Sequence, residues 1–325
     1  MSAALQISSS GNSGVRVLII GSGGVGGYFG GLLAQGGCDV CFVARGAHLQ
    51  AMRETGLRIE RAEGDVYLPR VAVSDDPKSF GVPDVALLCV KLWDVEAAAR
   101  AMAPVIGPDT IVLSLQNGVQ KDEVVGRAVG EDAVVGSVCY IATRISKPGV
   151  IHRTGSLQRL VFGGYDRKRR PQSARFLDAC RRSGIEAAIS SDIRRSIWEK
   201  FVFLVGFSAT TTAMRAAIGP VRANPIARAF LFDLMQEVVA VGRAAGVELD
   251  CGYAADRLAF VDTLPAEQKS SMLVDLERGQ RLELPWLSGY VSELGMKLGV
   301  PTPCNRAINA LLALDVSARS STASG

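Results

Sequence analysis

The feature that most constrains the fold is a short apolar run that passes directly into a glycine-rich turn. Residues 15–20 are rich in β-branched side chains and do not alternate, which is typical of a strand buried on both faces of a parallel sheet. The turn Gly21-Ser22-Gly23-Gly24-Val25-Gly26 follows with the spacing G-x-G-x-x-G, and a helix is predicted over about 25–35. Together these segments predict a dinucleotide site, with the phosphates at the start of the helix.

The three spaced glycines have separate predicted roles. Gly21 allows the tight turn after the strand, Gly23 lets the backbone approach a pyrophosphate, and Gly26 lets the helix pack close to the strand. Glycine-rich turns are common, so the assignment of a dinucleotide site depends on the strand that precedes the turn and the helix that follows it. The alternative is a turn of the same shape that binds no phosphate.

Composition limits the class of protein. A length of 325 residues with 48% hydrophobic and 21% charged residues suits two globular domains. No apolar stretch approaches the roughly 20 residues that span a bilayer, and the polar residues 1–13 lack the apolar segment of a secretory signal. We therefore expect a cytoplasmic protein without a membrane partner, with disordered tails at 1–13 and 318–325.

Cysteine, histidine and charge patterns argue against metal and nucleic acid. The seven cysteines are an odd number, and Cys38 and Cys41 point to opposite faces of a predicted strand. The two histidines are too few for a three-histidine metal site, so no metal is expected. The basic run 167–170 precedes a proline without interleaved aromatic residues, which predicts a solvated turn rather than a nucleic-acid site. The net charge of +4 suits an anionic cofactor and substrate.

Strand and helix patterns alternate through the first half of the chain. Strands are predicted at 39–44, 84–90 and 110–115, helices at 47–55, 95–102 and 120–129, a hairpin over 57–74, and a strand-rich segment over 133–163 with turns at 147–149 and 153–155. A helix near 171–183 and a strand near 186–190 follow. This alternation predicts an α/β fold, with an N-terminal Rossmann doubly wound sheet over residues 14–190 as the domain that contains the predicted dinucleotide site.

Strand patterns stop near Ser190, and the rest of the chain reads as an all-helical domain. A helix begins at Ile193, and Asn224 with Pro225 supplies a cap and a first-turn proline for a long helix over 225–245. Further helices are predicted at 252–262, 265–277, 286–298 and 303–315. The sequence thus predicts a C-terminal helical substrate and catalytic domain over residues 191–317.

Three polar residues follow predicted strands of the N-terminal sheet. NAD sites usually place an acidic residue after the second strand to bind ribose hydroxyls, and here that position holds Arg45, which suits the 2′-phosphate of NADP. Lys91 and Asn117 follow two later strands, where ligands bind in open α/β sheets. Each residue also has a simpler interpretation. Arg45 would be an ordinary surface arginine, Lys91 a lysine at the point where the chain leaves the core, and Asn117 a turn residue before glycine.

Polar residues in the helical half also suggest chemistry. Lys200 lies in an apolar helix, where a lysine is costly unless it is used or paired with an acid such as Glu199. Ser271 and Asp275 share one helix face, and Glu283 precedes a helix start that stabilises a carboxylate. The alternative interpretation is that these serine and acidic residues are ordinary helix caps and surface acids without a role in chemistry. His48 and His152 are alternative general acids, but neither has the apolar helical setting of Lys200.

The motifs together resemble the ketopantoate reductase (2-dehydropantoate 2-reductase) family, in family order across about residues 15–315. They are Gly21-Ser22-Gly23-Gly24-Val25-Gly26, Val43-Ala44-Arg45-Gly46 with His48-Leu49, Cys89-Val90-Lys91-Leu92-Trp93, Gln116-Asn117-Gly118, Trp198-Glu199-Lys200, and Ser270-Ser271-Met272-Leu273-Val274-Asp275 followed by Glu283. The resemblance implies a Rossmann domain, a helical domain, and NADPH as hydride donor. It implies reduction of the 2-oxo acid ketopantoate to pantoate, on the route to pantothenate and coenzyme A.

The resemblance also implies residue roles. Lys200 matches the catalytic lysine that polarises the ketone and delivers a proton, and Glu283 matches the acid that binds the substrate hydroxyl. Asn117 matches an asparagine near nicotinamide and substrate, which places it in both the catalytic and the cofactor-binding set. Ser271 matches a serine for the substrate carboxylate. The cofactor-binding set consists of Gly21, Ser22, Gly23, Gly24, Val25, Gly26, Arg45, Lys91 and Asn117.

Several positions depart from the family pattern. Family members often carry asparagines four and eight residues after the lysine, where this chain has Leu204 and Ser208. Ser208 can still hydrogen-bond to substrate, whereas Leu204 cannot, and Ser288 stands where an asparagine is frequent. These changes allow a bulkier or less polar 2-oxo acid as substrate, and another 2-oxo acid or ketone is the alternative to ketopantoate. A non-catalytic NADPH-binding regulatory protein is the alternative of another class, and a homodimer remains open.

Overall fold

The computed structural model describes residues 14–165 and 170–320, so residues 1–13, 166–169 and 321–325 lie outside the described part. The predicted tail at 1–13 and most of the basic run 167–170 fall in these gaps. The chain divides into two compact units, with the boundary between Ile193 and Arg194. Each unit has its own architecture.

The first unit contains all the described strands and five helices. The strands are β1 Arg16–Ile20, β2 Asp39–Val43, β3 Leu57–Glu60, β4 Val66–Leu68, β5 Ala72–Ser74, β6 Val85–Leu88, β7 Ile111–Ser114, β8 Val135–Lys147, β9 Val150–Gly164 and β10 Glu186–Ile189. The helices are α1 Gly24–Gln35, α2 Gly46–Thr55, α3 Val95–Met102, α4 Lys121–Val129 and α5 Arg170–Arg182.

Five strands form a parallel sheet in the order β5-β2-β1-β6-β7. The chain proceeds from β1 to one edge and then returns to the other side, so the doubly wound topology predicted from the sequence is confirmed. Successive β1 residues enter different core clusters: Ile19 belongs to the cluster that contains Phe29 of α1, and Leu18 belongs to the cluster that contains Met102 of α3. Burial on both faces explains why this strand lacks polar alternation.

A second, mixed sheet was not part of the sequence prediction. It has the order β10-β9-β3-β4, and β8 pairs with β9 in antiparallel fashion. The predicted turn at 147–149 joins β8 to β9, but the predicted turn at 153–155 is wrong. There β9 continues through a bulge, because Ile141 pairs with Gln158 while Thr143 pairs with Arg153.

The second unit contains helices and, among its described residues, no strand, as predicted. Its helices are α6 Ile193–Met214, α7 Ile218–Ala223, α8 Pro225–Ala244, α9 Tyr253–Asp262, α10 Ser271–Glu277, α11 Ser288–Leu298, α12 Pro303–Leu311 and α13 Ala313–Ser320. Asn224 caps α8, since its Oδ1 accepts hydrogen bonds from the N–H groups of Ile226 and Ala227 at 3.0 and 3.1 Å.

Three predicted boundaries need correction. The helix predicted at 303–315 is two helices, because α12 ends at Leu311 and α13 begins at Ala313. The helix predicted from 265 begins only at Ser271, because the Ser270 hydroxyl accepts a hydrogen bond from the Leu273 N–H at 3.1 Å and caps it. The C-terminal tail predicted from 318 begins too early, since α13 continues to Ser320. Among the described residues, no helix combines the length and apolar character needed to cross a membrane.

Candidate functional site

The predicted cofactor residues of the first unit lie at one edge of the parallel sheet. The glycine turn follows β1, Arg45 follows β2, Lys91 follows β6 and Asn117 follows β7. These four strands are neighbours in the order β2-β1-β6-β7, and all are parallel. The structure therefore brings the four sequence features together at the carboxyl edge, the ligand-binding edge of open α/β sheets.

The glycine turn is shaped by close backbone contacts. Gly21 has a positive φ of 92°, a conformation that favours glycine. A Cβ placed on Gly26 would lie only 2.2 Å from the Gly21 carbonyl oxygen, so a larger residue would push α1 away from β1. These two glycines are required by the fold itself.

Gly23 differs because, apart from its own chain neighbours, no atom of the described residues lies within 4 Å of the position its Cβ would take. The fold alone therefore does not need glycine here, whereas close approach of another molecule does. The first N–H groups of α1 lack partners within the helix, and the helix dipole makes its N-terminus positive. Open space, orphan N–H groups and positive polarity at one point fit the pyrophosphate of a dinucleotide.

The N–H, hydroxyl and carbonyl groups of Ser22 are all hydrogen-bonded to other protein groups. Its N–H and that of Gly21 donate to the Val43 carbonyl at 3.0 and 3.1 Å, and its buried hydroxyl donates to the same oxygen at 3.0 Å. Its carbonyl oxygen lies 2.9 Å from Nε2 of His48. The Ser22 side chain therefore supports the turn, and a contact with cofactor stays a prediction.

His48 is engaged through both ring nitrogens, which sequence reasoning did not detect. Besides the Nε2 contact to Ser22, its Nδ1 accepts a hydrogen bond from the Gly149 N–H at 3.1 Å. Burial lowers the pKa of His48, which keeps the ring neutral at neutral pH. The other histidine, His152, is half-buried in β9 with its Nδ1 3.5 Å from Glu60 Oε2.

The two predicted phosphate-binding cations are exposed at the sheet edge. Arg45 is the residue before α2 and has extended backbone dihedrals, so it lies at the end of β2 as predicted. Lys91 lies beyond β6, with its Nζ 5.7 Å from the centre of the Trp93 ring. Exposed cations beside an open helix N-terminus form a site that attracts phosphate groups.

Gln116 is a supporting residue that the sequence reasoning treated only as part of a motif. Its Nε2 donates to the carbonyl oxygens of Leu88 and Val90 at 2.9 and 3.0 Å, and its Oε1 accepts from the Ser114 hydroxyl. These bonds tie the end of β7 to the end of β6. They fix the backbone beside the half-buried Asn117.

In the second unit, Lys200 is half-buried on α6, between the buried side chains of Trp198 and Phe201 along the helix. Leu204 and Ser208 follow at intervals of four residues, which places them near the same helix face. The neighbouring carboxylate of Glu199 accepts a hydrogen bond from Arg195 Nε at 2.8 Å. The acid proposed as an alternative partner for Lys200 is thus bound by an arginine.

The Ser208 hydroxyl is buried and, among the described residues, has no hydrogen-bond partner. The hydroxyls of Thr210 and Thr211 behave differently, since they donate to the carbonyls of Gly206 and Phe207 at 2.8 and 2.7 Å. An unsatisfied buried hydroxyl costs about 1–3 kcal/mol. A group kept at that cost is suited to a ligand or a water molecule, and its role in binding substrate stays a prediction.

Ser271 and Glu283 lie on segments anchored within the second unit. The hydroxyl oxygens of Thr211 and Ser270 lie 2.7 Å apart, and because the Thr211 proton is used at the Phe207 carbonyl, Ser270 is the donor in this bond, which ties the start of α10 to α6. Ser271 is the exposed first residue of α10. Glu283 is half-buried and directly precedes a short 3₁₀ turn, Leu284–Trp286, ahead of α11. Their binding roles stay predictions.

Comparison with known proteins gives one consistent family. Residues 17–167 match the family model described as Ketopantoate reductase PanE/ApbA, and residues 192–315 match the model of its C-terminal part. A 2-dehydropantoate 2-reductase of Mesorhizobium japonicum is 30% identical over 321 residues, covering 92% of this chain and 96% of the relative.

Solved structures share the fold. A PanE/ApbA family ketopantoate reductase from Ralstonia eutropha JMP134 has a TM-score of 0.85 at 33% identity, covering 94% of this chain and 99% of that one. D-mandelate dehydrogenase, solved with NADH and anilino(oxo)acetate, has a TM-score of 0.86 at 21% identity with the same coverage. At that lower identity the likeness shows the fold alone.

We expect replacement by alanine to affect cofactor binding at Gly23 and stability at Gly26. Gly23→Ala should keep the thermal unfolding midpoint near wild type but weaken NADPH binding by about tenfold, because its methyl group enters open space beside the helix N-terminus. Gly26→Ala should lower the midpoint, since its Cβ meets the Gly21 carbonyl. Differential scanning fluorimetry and NADPH fluorescence titration measure the two effects. Unchanged NADPH affinity in Gly23→Ala would contradict the pyrophosphate site.

Proposed function

Because the chain belongs to the ketopantoate reductase family, we propose that it reduces a 2-oxo acid to the 2-hydroxy acid with NADPH as hydride donor. Ketopantoate is the first substrate to consider, which would give pantoate on the route to pantothenate and coenzyme A in the cytoplasm. The relatives named 2-dehydropantoate 2-reductase support this substrate class.

The choice of NADPH rests on Arg45. Its side chain is exposed at the end of β2, the strand whose Val43 carbonyl holds the glycine turn. A guanidinium binds a phosphate through paired hydrogen bonds, whereas an acidic residue at this position would bind the ribose hydroxyls of NAD. Lys91 adds a second exposed cation at the same sheet edge.

The observation that carries the proposed chemistry is a half-buried lysine that directly precedes an apolar stretch of α6, residues 201–207. Lys200 lies between two buried aromatic residues of α6 and is followed on the same face by the unpartnered hydroxyl of Ser208. Bound NADPH supplies the hydride. Lys200 would hold a proton at Nζ, polarise the ketone oxygen through a hydrogen bond, and transfer the proton to that oxygen as the carbon becomes a secondary alcohol.

The remaining residues would bind and orient the substrate. Glu283 would accept a hydrogen bond from the substrate hydroxyl, and the exposed Ser271 would donate to the carboxylate at the start of α10. Ser208 would donate to a further polar group. Asn117, backed by the bonds of Gln116, would orient nicotinamide and ketone.

Leu204 supports a second candidate substrate. It is half-buried on α6, between Lys200 and Ser208 along the helix face, and offers no hydrogen bond. A bulkier or less polar 2-oxo acid or ketone would bury apolar surface against it, which ketopantoate with its hydroxyl would do less well. A regulatory protein that binds NADPH without turnover is the remaining alternative, against which the joint presence of Lys200, Asn117 and Glu283 argues.

An NADPH oxidation assay with purified protein tests the proposed function. The panel contains ketopantoate and larger apolar 2-oxo acids such as phenylglyoxylate, each with NADPH and with NADH. We expect turnover with at least one acid and a higher kcat/KM with NADPH, because Arg45 matches the 2′-phosphate. Binding of NADPH without turnover on any acid would support the regulatory protein, and preference for NADH would contradict the assignment of Arg45.

Replacement of Lys200 tests the proton donor. Lys200→Ala should lower kcat by about 10²–10⁴-fold and leave the NADPH dissociation constant nearly unchanged, since proton transfer is lost while the phosphate site remains. Lys200→Arg should also fail, because a guanidinium keeps its proton. Lys297→Ala, which removes an exposed lysine paired with Glu293 on α11, is the control and should keep wild-type kcat. Full activity of Lys200→Ala would remove Lys200 from the mechanism.

A further inference from the structure

A single histidine ring joins the glycine turn to the hairpin of the second sheet. His48 lies in the first turn of α2, between Ser22 on one side and Gly149, in the turn from β8 to β9, on the other. The Gly149 N–H can only donate, so Nδ1 must carry the lone pair and accept at 3.1 Å. The one ring proton is therefore on Nε2, which donates to the Ser22 carbonyl oxygen at 2.9 Å.

This contact fixes the orientation of one peptide unit in the turn. The described residues contain no cis peptide bond, so the Ser22 carbonyl and the Gly23 N–H point in opposite directions. Because His48 holds the carbonyl, the Gly23 N–H points away from the imidazole. The Ser22 N–H, which belongs to the preceding peptide unit, donates to the Val43 carbonyl at 3.0 Å, so the backbone is held on both sides of the Ser22 Cα.

Gly23 marks the point of the turn that best suits a bound pyrophosphate. It is the position of the turn where, apart from its own chain neighbours, no atom of the described residues lies near the missing side chain. It directly precedes α1, whose first N–H groups have no partner within the helix. An amide held in advance toward an anion avoids the reorganisation that a freely rotating peptide would need on binding.

We propose that His48 is a positioning residue for the cofactor: it holds the Ser22–Gly23 peptide so that the Gly23 N–H faces the pyrophosphate. The inference rests on the proposed function, because it requires that the turn bind NADPH. It assigns His48 a part in cofactor affinity and none in proton transfer, since both ring nitrogens are bound to backbone groups. Gly149 contributes to the same arrangement, because its N–H donates to Nδ1 of His48 and so places the ring proton on Nε2.

Binding of two ligands distinguishes a role of His48 at the pyrophosphate from general support of the fold. NADPH contains the pyrophosphate, whereas adenosine 2′-monophosphate presents only the adenosine and 2′-phosphate portion. His48→Phe keeps a ring but removes the donor, and should raise the NADPH dissociation constant about tenfold while that of adenosine 2′-monophosphate stays within about twofold. At saturating NADPH its kcat should stay within about twofold of wild type, with KM for NADPH raised.

Matched variants complete the test. His48→Gln carries an amide N–H that can reach the Ser22 carbonyl and should recover most of the NADPH affinity. His152→Gln changes the other histidine, which is half-buried near Glu60, and should bind NADPH as wild type does. Equal weakening of both ligands in His48→Phe would indicate damage to the whole site and overturn the proposal, as would unchanged NADPH affinity.

The tautomer provides a readout on the unmutated, cofactor-free protein. Nitrogen NMR of ¹⁵N-histidine-labelled protein at neutral pH should show His48 neutral with its proton on Nε2, identified by the signal that His48→Gln lacks. An imidazolium, or a proton on Nδ1, would overturn the proposal whether or not the variants fold. If the wild-type protein shows this tautomer but does not bind NADPH, the proposed function is contradicted, and the cofactor role of His48 is contradicted with it.

Discussion

The first unit depends on the close approach of α1 to β1. A Cβ on Gly26 would lie 2.2 Å from the Gly21 carbonyl oxygen, so the helix can pack at this distance only on glycine. The approach directs the N-terminus of α1 to the carboxyl edge of the sheet, where the Val43 carbonyl also binds the turn. Arg45, Lys91 and Asn117 reach the same edge because their strands are parallel neighbours of β1. The candidate cofactor site is thus a consequence of one backbone packing constraint.

Much of this arrangement could be predicted from the sequence because its causes are local. Unbroken apolar runs indicated strands buried on both faces, and the paired signal of Asn224 and Pro225 fixed the start of α8. Parallel strands end at a common edge, so residues after each strand could be grouped without knowing any distance. The family assignment follows from the order of several such motifs, each weak alone, and the comparisons confirm it.

The parts that were missed depend on contacts between distant segments. The second sheet pairs Ile59 of β3 with Ile151 of β9, and no local pattern in either strand identifies the other. The turn predicted at 153–155 is a bulge in β9, since pairing with β8 outweighs the local turn signal of Gly155. The sequence offers His48 as a general acid and as part of a family motif but does not reveal its positioning role, because the groups that bind its ring lie in other parts of the chain.

The central claim is that this chain moves a hydride from NADPH to the keto carbon of a 2-oxo acid. The most direct measurement is mass spectrometry of the product formed from NADPH in which both hydrogens at C4 of the nicotinamide are deuterium, with ketopantoate and a larger apolar 2-oxo acid as substrates. The account predicts a 2-hydroxy acid with one deuterium on the carbon beside the carboxylate. A hydroxy acid without that deuterium, or no hydroxy acid from either substrate, would contradict it.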